Sequence, residues 1–377
     1  MKKAAILWVF LCTVPAWAGP DQGISTYPAS FFADSRPATA YDMVSRLPGF
    51  SLDTGTSARG FAGTAGNVLV DGARPTAKTD DLSSILTRIP AASVDHIEVI
   101  HGGAPGIDMQ GQTVVANVVR RKGASAAQTI VTGRTTYTGA GQWSPALGVE
   151  YHGQSGATSY ELSLSRTSEV WDDSPGNGYR VVTAPGGAPV YDRAVRTGIL
   201  RVGYALHGGI TTPLWGGEWS NNLTLQNTDF PDGVRYYGGG GSRFDTITRL
   251  KNGEFGSHWQ GLLGNFNLET LLLQRLGHEE DSDTSAAPGN SAAFLARNNT
   301  GETIARATLR YSLSPTLSLE TGGEGAYNFL KGHSSFASNG AAIALPNANA
   351  TVDERRGEVF ASATWTAWPC GSSCCAS

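Results

Sequence analysis

The sequence predicts an antiparallel membrane β-barrel, incomplete, behind a compact N-terminal α/β module. Three observations predict it. The chain opens with an export leader; residues from about 127 onward alternate apolar and polar with period two; and charged residues make up only 16% of the chain, against roughly 25% in ordinary soluble domains. Gly is abundant, at 48 of 377 residues, and the formal charge is −4. Lys and Arg gather into no stripe, which excludes a nucleic-acid partner.

The leader is "MKKAAILWVFLCTVPAWA". Lys2 and Lys3 precede a short apolar run, and small residues at Ala16 and Ala18 mark a cut after Ala18. This is the pattern of a Sec signal peptide, too short to span a bilayer as a mature helix. Cys12 goes with the leader. Cys370, Cys374 and Cys375 crowd the last eight residues and none lies between, so no disulfide framework braces the body.

A polar extension, 19–36, leads into the α/β module, 37–124. A helix is expected over 38–47 with Ala40, Met43, Val44 and Leu47 facing inward, stopped by Pro48-Gly49. A strand follows at 67–70, closed by the Asp71-Gly72 turn. Asp80 or Asp81 caps a second helix whose inner face is Leu82, Ile85, Leu86 and Ile89. Strands at 96–100 and 114–119 complete it, so that Leu82, Ile85 and Leu86 meet Val68, Val70, Ile97 and Val99 in one small core.

Within 58–122, four consecutive blocks carry a resemblance: "ARGF", "NVLVDGARP", "ILTRIPAASVDHIEVIHGGAP" and "VVANVVRRK". They resemble the signature blocks of the plug domain of TonB-dependent outer-membrane receptors, in the same order. The resemblance implies a plug inside a 22-stranded barrel, pulled through an N-terminal TonB box by a TonB-type inner-membrane energy-coupling protein. It places the chain in the cell outer membrane, in contact with outer-membrane lipid. It also implies import of a scarce small-molecule ligand such as an iron chelate (a ferric siderophore), a glycan or cobalamin. The motif residues carried over are Gly60, Asp71, Gly72, Glu98 and Gly102. Plug-to-barrel contacts fall on Arg59 and on His101, where the family has arginine; a neutral imidazole weakens a charge-assisted pair with a barrel carboxylate. "GISTYPASFF" stands where a TonB box would.

In the wall, 125–369, "IARATLRYSL" sets Ala305, Ala307, Leu309, Tyr311 and Leu313 against Arg306, Thr308, Arg310 and Ser312. "TSYELSLSR" sets Tyr160, Leu162 and Leu164 against Glu161, Ser163 and Ser165. Such alternation suits strands with one face on lipid and one on a polar lumen. Ten to twelve strands fit. "HGGITTPLWGGE" reads as a short turn. The stretches 171–193, 277–302 and 332–356 read as long polar loops, with the "EEDSD" charge run in the second. About 250 residues leave no room for 22 strands with loops, and "CGSSCCAS", 370–377, reads as a foreign tail after truncation. Two other readings follow from this end of the chain: a non-transporting product of a broken gene, or an exported β-rich surface-binding protein.

Chemistry is excluded motif by motif. "HGGAPG" and "YYGGGGSR" lack the Gly-Lys-Ser/Thr ending of a phosphate loop. The terminal cysteines do not have tetrahedral spacing for a metal. No Ser/His/Asp constellation forms a catalytic set, and no cofactor is expected. Trp171, Tyr179, Tyr236 and Tyr237 belong to an interface girdle or to a ligand mouth; the ligand-binding residues themselves cannot be read.

Overall fold

The structure is a computed structural model. It describes residues 23–54, 66–72, 82–101, 109, 112–121, 126–137, 143–170, 176–183, 185–186, 189–198, 200–237, 241–314 and 317–365; the side chains of 126, 170, 176–183, 189–198 and 236–237 lie outside that description.

The front module is a four-stranded sheet carrying two short helices. Its strands are β1 (Ile24–Pro28), β2 (Val68–Val70), β3 (Val94–His101) and β4 (Val114–Arg120), in the order β1-β3-β4-β2. β2 and β4 are parallel and the other pairs antiparallel. The helix expected over 38–47 is α1 (Ala40–Val44), begun by a capping box in which Thr39 and Asp42 bond each other's backbone N–H. Ala40, Met43, Val44 and Leu47 are all buried, as their spacing required. The second helix is α2 (Leu82–Thr87); the expected caps Asp80 and Asp81 lie outside the described residues. Leu82 and Leu86 pack with Val68, Ile97 and Val99 in one buried cluster, with Val70 at its edge.

The sheet begins before Pro37. β1 pairs along β3 from Ile24↔Ile100 to Pro28↔His96, and Phe32, in the 3-10 turn that follows, is 2% exposed in the same core. Alternating Ile24, Thr26 and Pro28 with Ser25 and Tyr27 suits an edge strand, and a Pro at its end lacks only a donor the edge does not use.

The wall is a 13-stranded antiparallel sheet. Its strands are β5 (Ala126–Tyr137), β6 (Trp143–Ser155), β7 (Thr158–Val170), β8 (Gly176–Thr183), β9 (Pro189–Gly198), β10 (Leu200–Leu214), β11 (Gly217–Tyr237), β12 (Ser242–Leu263), β13 (Phe266–Ala287), β14 (Asn290–Ser314), β15 (Leu317–Ser338), β16 (Ala341–Ile343) and β17 (Asn349–Trp365). Among the described residues β5 pairs only β6, while β16 and β17 pair only β15. The sheet is therefore open among the described residues, an incomplete barrel.

All three of the expected loops hold strand instead: 171–193 contains β8 and the first part of β9, which pair as a hairpin. The stretch 277–302 runs up β13 and down β14, with register unbroken from Asn267↔Arg310 to Ala287↔Asn290 and a two-residue Pro-Gly turn between. Gly289, at φ 77°, supplies the positive φ of that turn. "EEDSD" is thus a ladder segment whose charges alternate between faces. The stretch 332–356 likewise holds the ends of β15 and β17, with β16 between them; Asn339 (φ 49°) and Gly340 (φ 77°) form the first of its turns. Polar strand extensions read as loop because one face of the sheet is wet and the other rises above any apolar layer. The turn in "HGGITTPLWGGE" is only Trp215-Gly216, both at positive φ.

Candidate functional site

The first part of the site is the seam of the front module. Asp71 sits at φ 51° and Gly72 at φ 82° in the turn after β2. The Asp71 carboxylate accepts the backbone N–H of Arg120 at 2.8 Å and its Nε–H at 2.5 Å, which pins the turn to the end of β4. Gly72 N–H donates to Asn117 Oδ1 at 2.8 Å, and Asn117 Nδ2 donates to Glu98 Oε2 at 2.8 Å. Glu98 in turn faces His96, Oε1 to Nε2 at 3.5 Å. Gly72 and Glu98 are thus joined through Asn117, with Asp71 beside Gly72 and His96 beyond Glu98, into one polar seam across the sheet. His101 ends β3 with an exposed side chain, and its N–H donates to Gly23 O at 2.7 Å. Arg59, Gly60 and Gly102 lie outside the described residues.

Two charged groups of the front module, His96 in the seam and Asp42 at the start of α1, are shifted from their ordinary values. The hydrogen bond that His96 Nδ1 donates to the Asp95 carboxylate is the largest influence on His96 and raises its pKa above the ordinary 6.5; partial burial opposes and Glu98 assists. Burial would raise Asp42, but the N–H groups of Ala38 and Thr39, the Thr39 hydroxyl and Arg46 together hold it below the usual carboxylate value.

Asn117, Arg120 and Asn67 went unread as functional positions. Asn67 is 6% exposed; its Nδ2 donates to Ser51 O and its Oδ1 accepts from Asp53 N–H, both at 2.8 Å. An Asn inside "VVANVVRR" was the available signal, because Asn is depleted from strands unless its amide has partners.

The second part is the inner face of the wall. Ladder partners share a face, so the register sorts the residues. One face carries Glu150↔Ser163, Ser163↔His207, His207↔Thr224 and Thr224↔Glu254; Ser163, Thr224, Glu254 and His258 on it are buried. His152, Glu161, His207, Glu218 and Thr224 of this face line a cavity of about 580 Å³ together with Asp71, Arg88, Ser93, Arg120 and Arg121 of the front module. The polar face therefore looks at the module. Further round, Arg310 bonds Glu269 at 3.0 Å and Glu320 at 2.6 Å, and Arg356 bonds Glu324 at 2.6 Å. Leu273, Ile304 and Ala326 form a small apolar patch between those pairs.

The opposite face is apolar and open. Leu162, Leu164, Tyr204, Leu223, Leu225, Leu272 and Leu276 on it are exposed. On β12–β15 it holds no charged residue from the short-turn end up to the row Gly253–Leu276–Gly301–Phe329. Phe266 to Leu276 on β13 spans about 35 Å of strand, or about 25 Å of height at a tilt near 45°, the height of a barrel's apolar band. Glycines on this face accept neighbouring rings. A Cβ on Gly301 would lie 2.0 Å from Phe329 Cε1, and one on Gly153 2.2 Å from Tyr160 Cε2. Trp171, Tyr179, Tyr236 and Tyr237, and the three terminal cysteines, fall outside what is described of side chains.

Among the described residues no group of His, Cys, Asp or Glu could hold a metal ion, and no helix is long and apolar enough to cross a membrane. The arrangement offers a polar-walled space between a small folded module and a sheet, which is suited to passage and binding.

Residues 20–115 match the family model described as TonB-dependent Receptor Plug Domain. No curated protein matches the chain. Among solved structures, the ferric yersiniabactin uptake receptor FyuA from Yersinia pestis aligns at 12% identity over 90% of this chain and 61% of its own, with a TM-score of 0.36. The copper transporter OprC aligns at 12% identity over 92% and 60%, TM-score 0.35. The alcaligin outer-membrane receptor FauA from Bordetella pertussis aligns at 15% over 91% and 60%, TM-score 0.33. The chain thus spans less than two thirds of the length of these structures.

Proposed function

We propose, from the premise that the front module is the plug domain of a TonB-dependent receptor, that the chain acts in the outer membrane to import a scarce small molecule, such as a ferric siderophore, by energy-coupled displacement of the plug. The observation that carries this reading is the plug packed against the polar face of a sheet whose other face, on β12–β15, is an apolar band without charged residues. Within it, 1–18 is the export leader, 19–36 the extension gripped by the TonB-type partner, 37–124 the plug, 125–369 the wall and 370–377 an atypical tail. Pairing of Ile24–Pro28 along β3 supports transmission: a pull on the extension loads β3, and through Glu98 and Asn117 it reaches the Asp71-Gly72 turn. Arg59 and His101 are the proposed plug-to-wall contacts, and Gly60 and Gly102 complete the motif.

The cavity supports an exit route. Its residues Ala157, Pro213 and Glu218 belong to or flank the short turns at 156–157 and 215–216, so it lies at the short-turn end. At about 580 Å³ it falls in the range that holds a small ligand. Displacing the plug then has to open only the remainder of the path. No step in this cycle makes or breaks a covalent bond in the ligand.

The test is uptake of radiolabelled ferric chelates by cells whose only receptor is this full chain, with and without the energy-coupling partner. Uptake that disappears when the partner is deleted supports the proposal. Uptake at the same rate without the partner, or none for any chelate, glycan or cobalamin tested, overturns it.

A further inference from the structure

We infer that the outward face of β15 and β17 is an interface on which a second copy of this chain docks, side by side in the membrane. The inference rests on the outer-membrane reading above. A pair of charges stands where this face is otherwise apolar. Across β12–β15 the outward row Gly253–Leu276–Gly301–Phe329 is uncharged, yet on β17 it continues to Asp353. The next row toward the short turns, Phe255–Gln274–Thr303–Tyr327, is also uncharged and continues to Arg355. Aspartate and arginine are costly on the lipid face of a barrel strand, so a barrel that carries them there turns them toward something other than lipid tails.

The two charges do not close on each other. Among the described residues neither enters an ion pair, whereas Glu280, Arg310 and Arg356 all do. Tyr327 stands between them: its hydroxyl donates to Asp353 at 3.0 Å, and the Arg355 guanidinium lies 5.8 Å from its ring centroid. A free carboxylate oxygen and a fork of guanidinium N–H donors are therefore left for a partner. One row further toward the short turns the face is recessed. That row is Ala305–Gly325–Gly357, and a Cβ built on Gly325 or on Gly357 would meet nothing within 4 Å. In the row after it Val359 projects, 89% exposed. The face thus carries a hollow, a knob beside it and a split charge pair.

Self-complementarity selects the occupant. Copies inserted in the same direction can present one face to each other only about a two-fold axis along the membrane normal. Under that symmetry Arg355 of each copy meets Asp353 of the other, and both charges are neutralised at once. The two residues are one row apart, about 7 Å along the strand and about 5 Å in height at a tilt near 45°, a step that an arginine side chain spans. Val359 and Gly357 are one row apart in the same direction. The seating that joins the charges therefore also carries each Val359 into the hollow of the other copy, which gives the close packing that an interface core needs. Lipid tails offer no charge to either group, and a second copy carries both features at the required spacing.

The test uses donor- and acceptor-labelled copies of the full chain, reconstituted together in phosphatidylcholine bilayers over a range of protein-to-lipid ratios. Association is read by energy transfer and stoichiometry by native mass spectrometry. The expected result is a dimer that dissociates on dilution with lipid. Asp353→Arg and Arg355→Asp should each weaken it about tenfold, because each sets like charges together across the contact. The double exchange should restore it, and Gly357→Trp, which fills the hollow, should abolish it. Monomers at every ratio would give this face to lipid or to another protein and overturn the inference. Dimers unmoved by both reversals and by Gly357→Trp would overturn it too, by placing the contact elsewhere, such as the open edges of the sheet. A double exchange that recovers no dimer would overturn the charge pairing on which the inference stands. Heat-modifiable gel migration of the same samples separates the two readings: a chain that does not insert defeats both, whereas an inserted chain that stays monomeric defeats this one alone.

Discussion

Asn117 is the residue on which the plug seam turns. It is 8% exposed and supplies both partners of the bridge, an acceptor for Gly72 N–H and a donor for Glu98. Asn117→Ala leaves both groups without that partner and is expected to cost about 1–3 kcal/mol, read as a lower urea midpoint for proteolysis of the plug within the full chain. An unchanged midpoint would show the bridge to be dispensable. Gly66 is a second intolerant position. Its φ is 56°, and a Cβ would lie 2.3 Å from Asp53 O and 2.7 Å from Leu82 Cδ2. Gly66→Ala combines left-handed strain with a backbone clash and should exceed about 1 kcal/mol. His96 adds a pH signature to the same assay. Its folded pKa is raised, so its contribution is fully present below the unfolded value of about 6.5 and is lost as pH rises through the higher folded value. Plug resistance should therefore fall as pH climbs above about 6.5, and His96→Gln should flatten that slope. Asp42 works at the other end: its lowered pKa contributes above the unfolded value and is lost as pH falls through the folded one.

At the scale of elements, the plug helices and strands were legible in the sequence because each has a short, clean apolar period. Ala40, Met43, Val44 and Leu47 could face only one way. The first strand of the plug sheet was not legible, since "ISTYP" has one good apolar position per face and its partner β3 is some seventy residues away. The wall's alternation was legible, but the tops of β13–β15 were not. There the apolar residues, Phe294, Leu295 and Phe336, keep no period of two, and only the unbroken ladder distinguishes strand from loop. Elements of this kind are held by cross-strand pairs, and Arg356–Glu324 is the clearest, joining β17 to β15. The Glu324 side chain is 6% exposed, so Arg356→Ala strands a buried carboxylate at a cost of about 3 kcal/mol. The expected outcome is a lower temperature for loss of heat-modifiable migration. Adding Glu324→Gln should restore most of it, and failure to do so would mean that Arg356 acts through packing alone.

At the scale of the whole molecule, the proposed import requires that the plug and the wall be two bodies with wet space between them. Sequence could assign polar and apolar faces along each strand; the site itself emerges only from juxtaposition, because residues as distant as Ser93 and Ser220 line one cavity. That geometry can be read by single cysteines, placed with Cys370, Cys374 and Cys375 replaced by serine. Ser220→Cys on the polar face should react with a small water-soluble thiol reagent, while Leu225→Cys, 46% exposed on the apolar face, should be shielded by lipid. Ser93→Cys on the plug carries the mechanistic question. With the energy-coupling partner idle, a reagent larger than the cavity should label it slowly. With the partner energised and chelate present, displacement of the plug should raise that rate severalfold while Ser220→Cys, reached by the small reagent, changes little. Equal rates in both states would mean that the plug stays seated, and the import mechanism would then fail even if the chain sits correctly in the membrane.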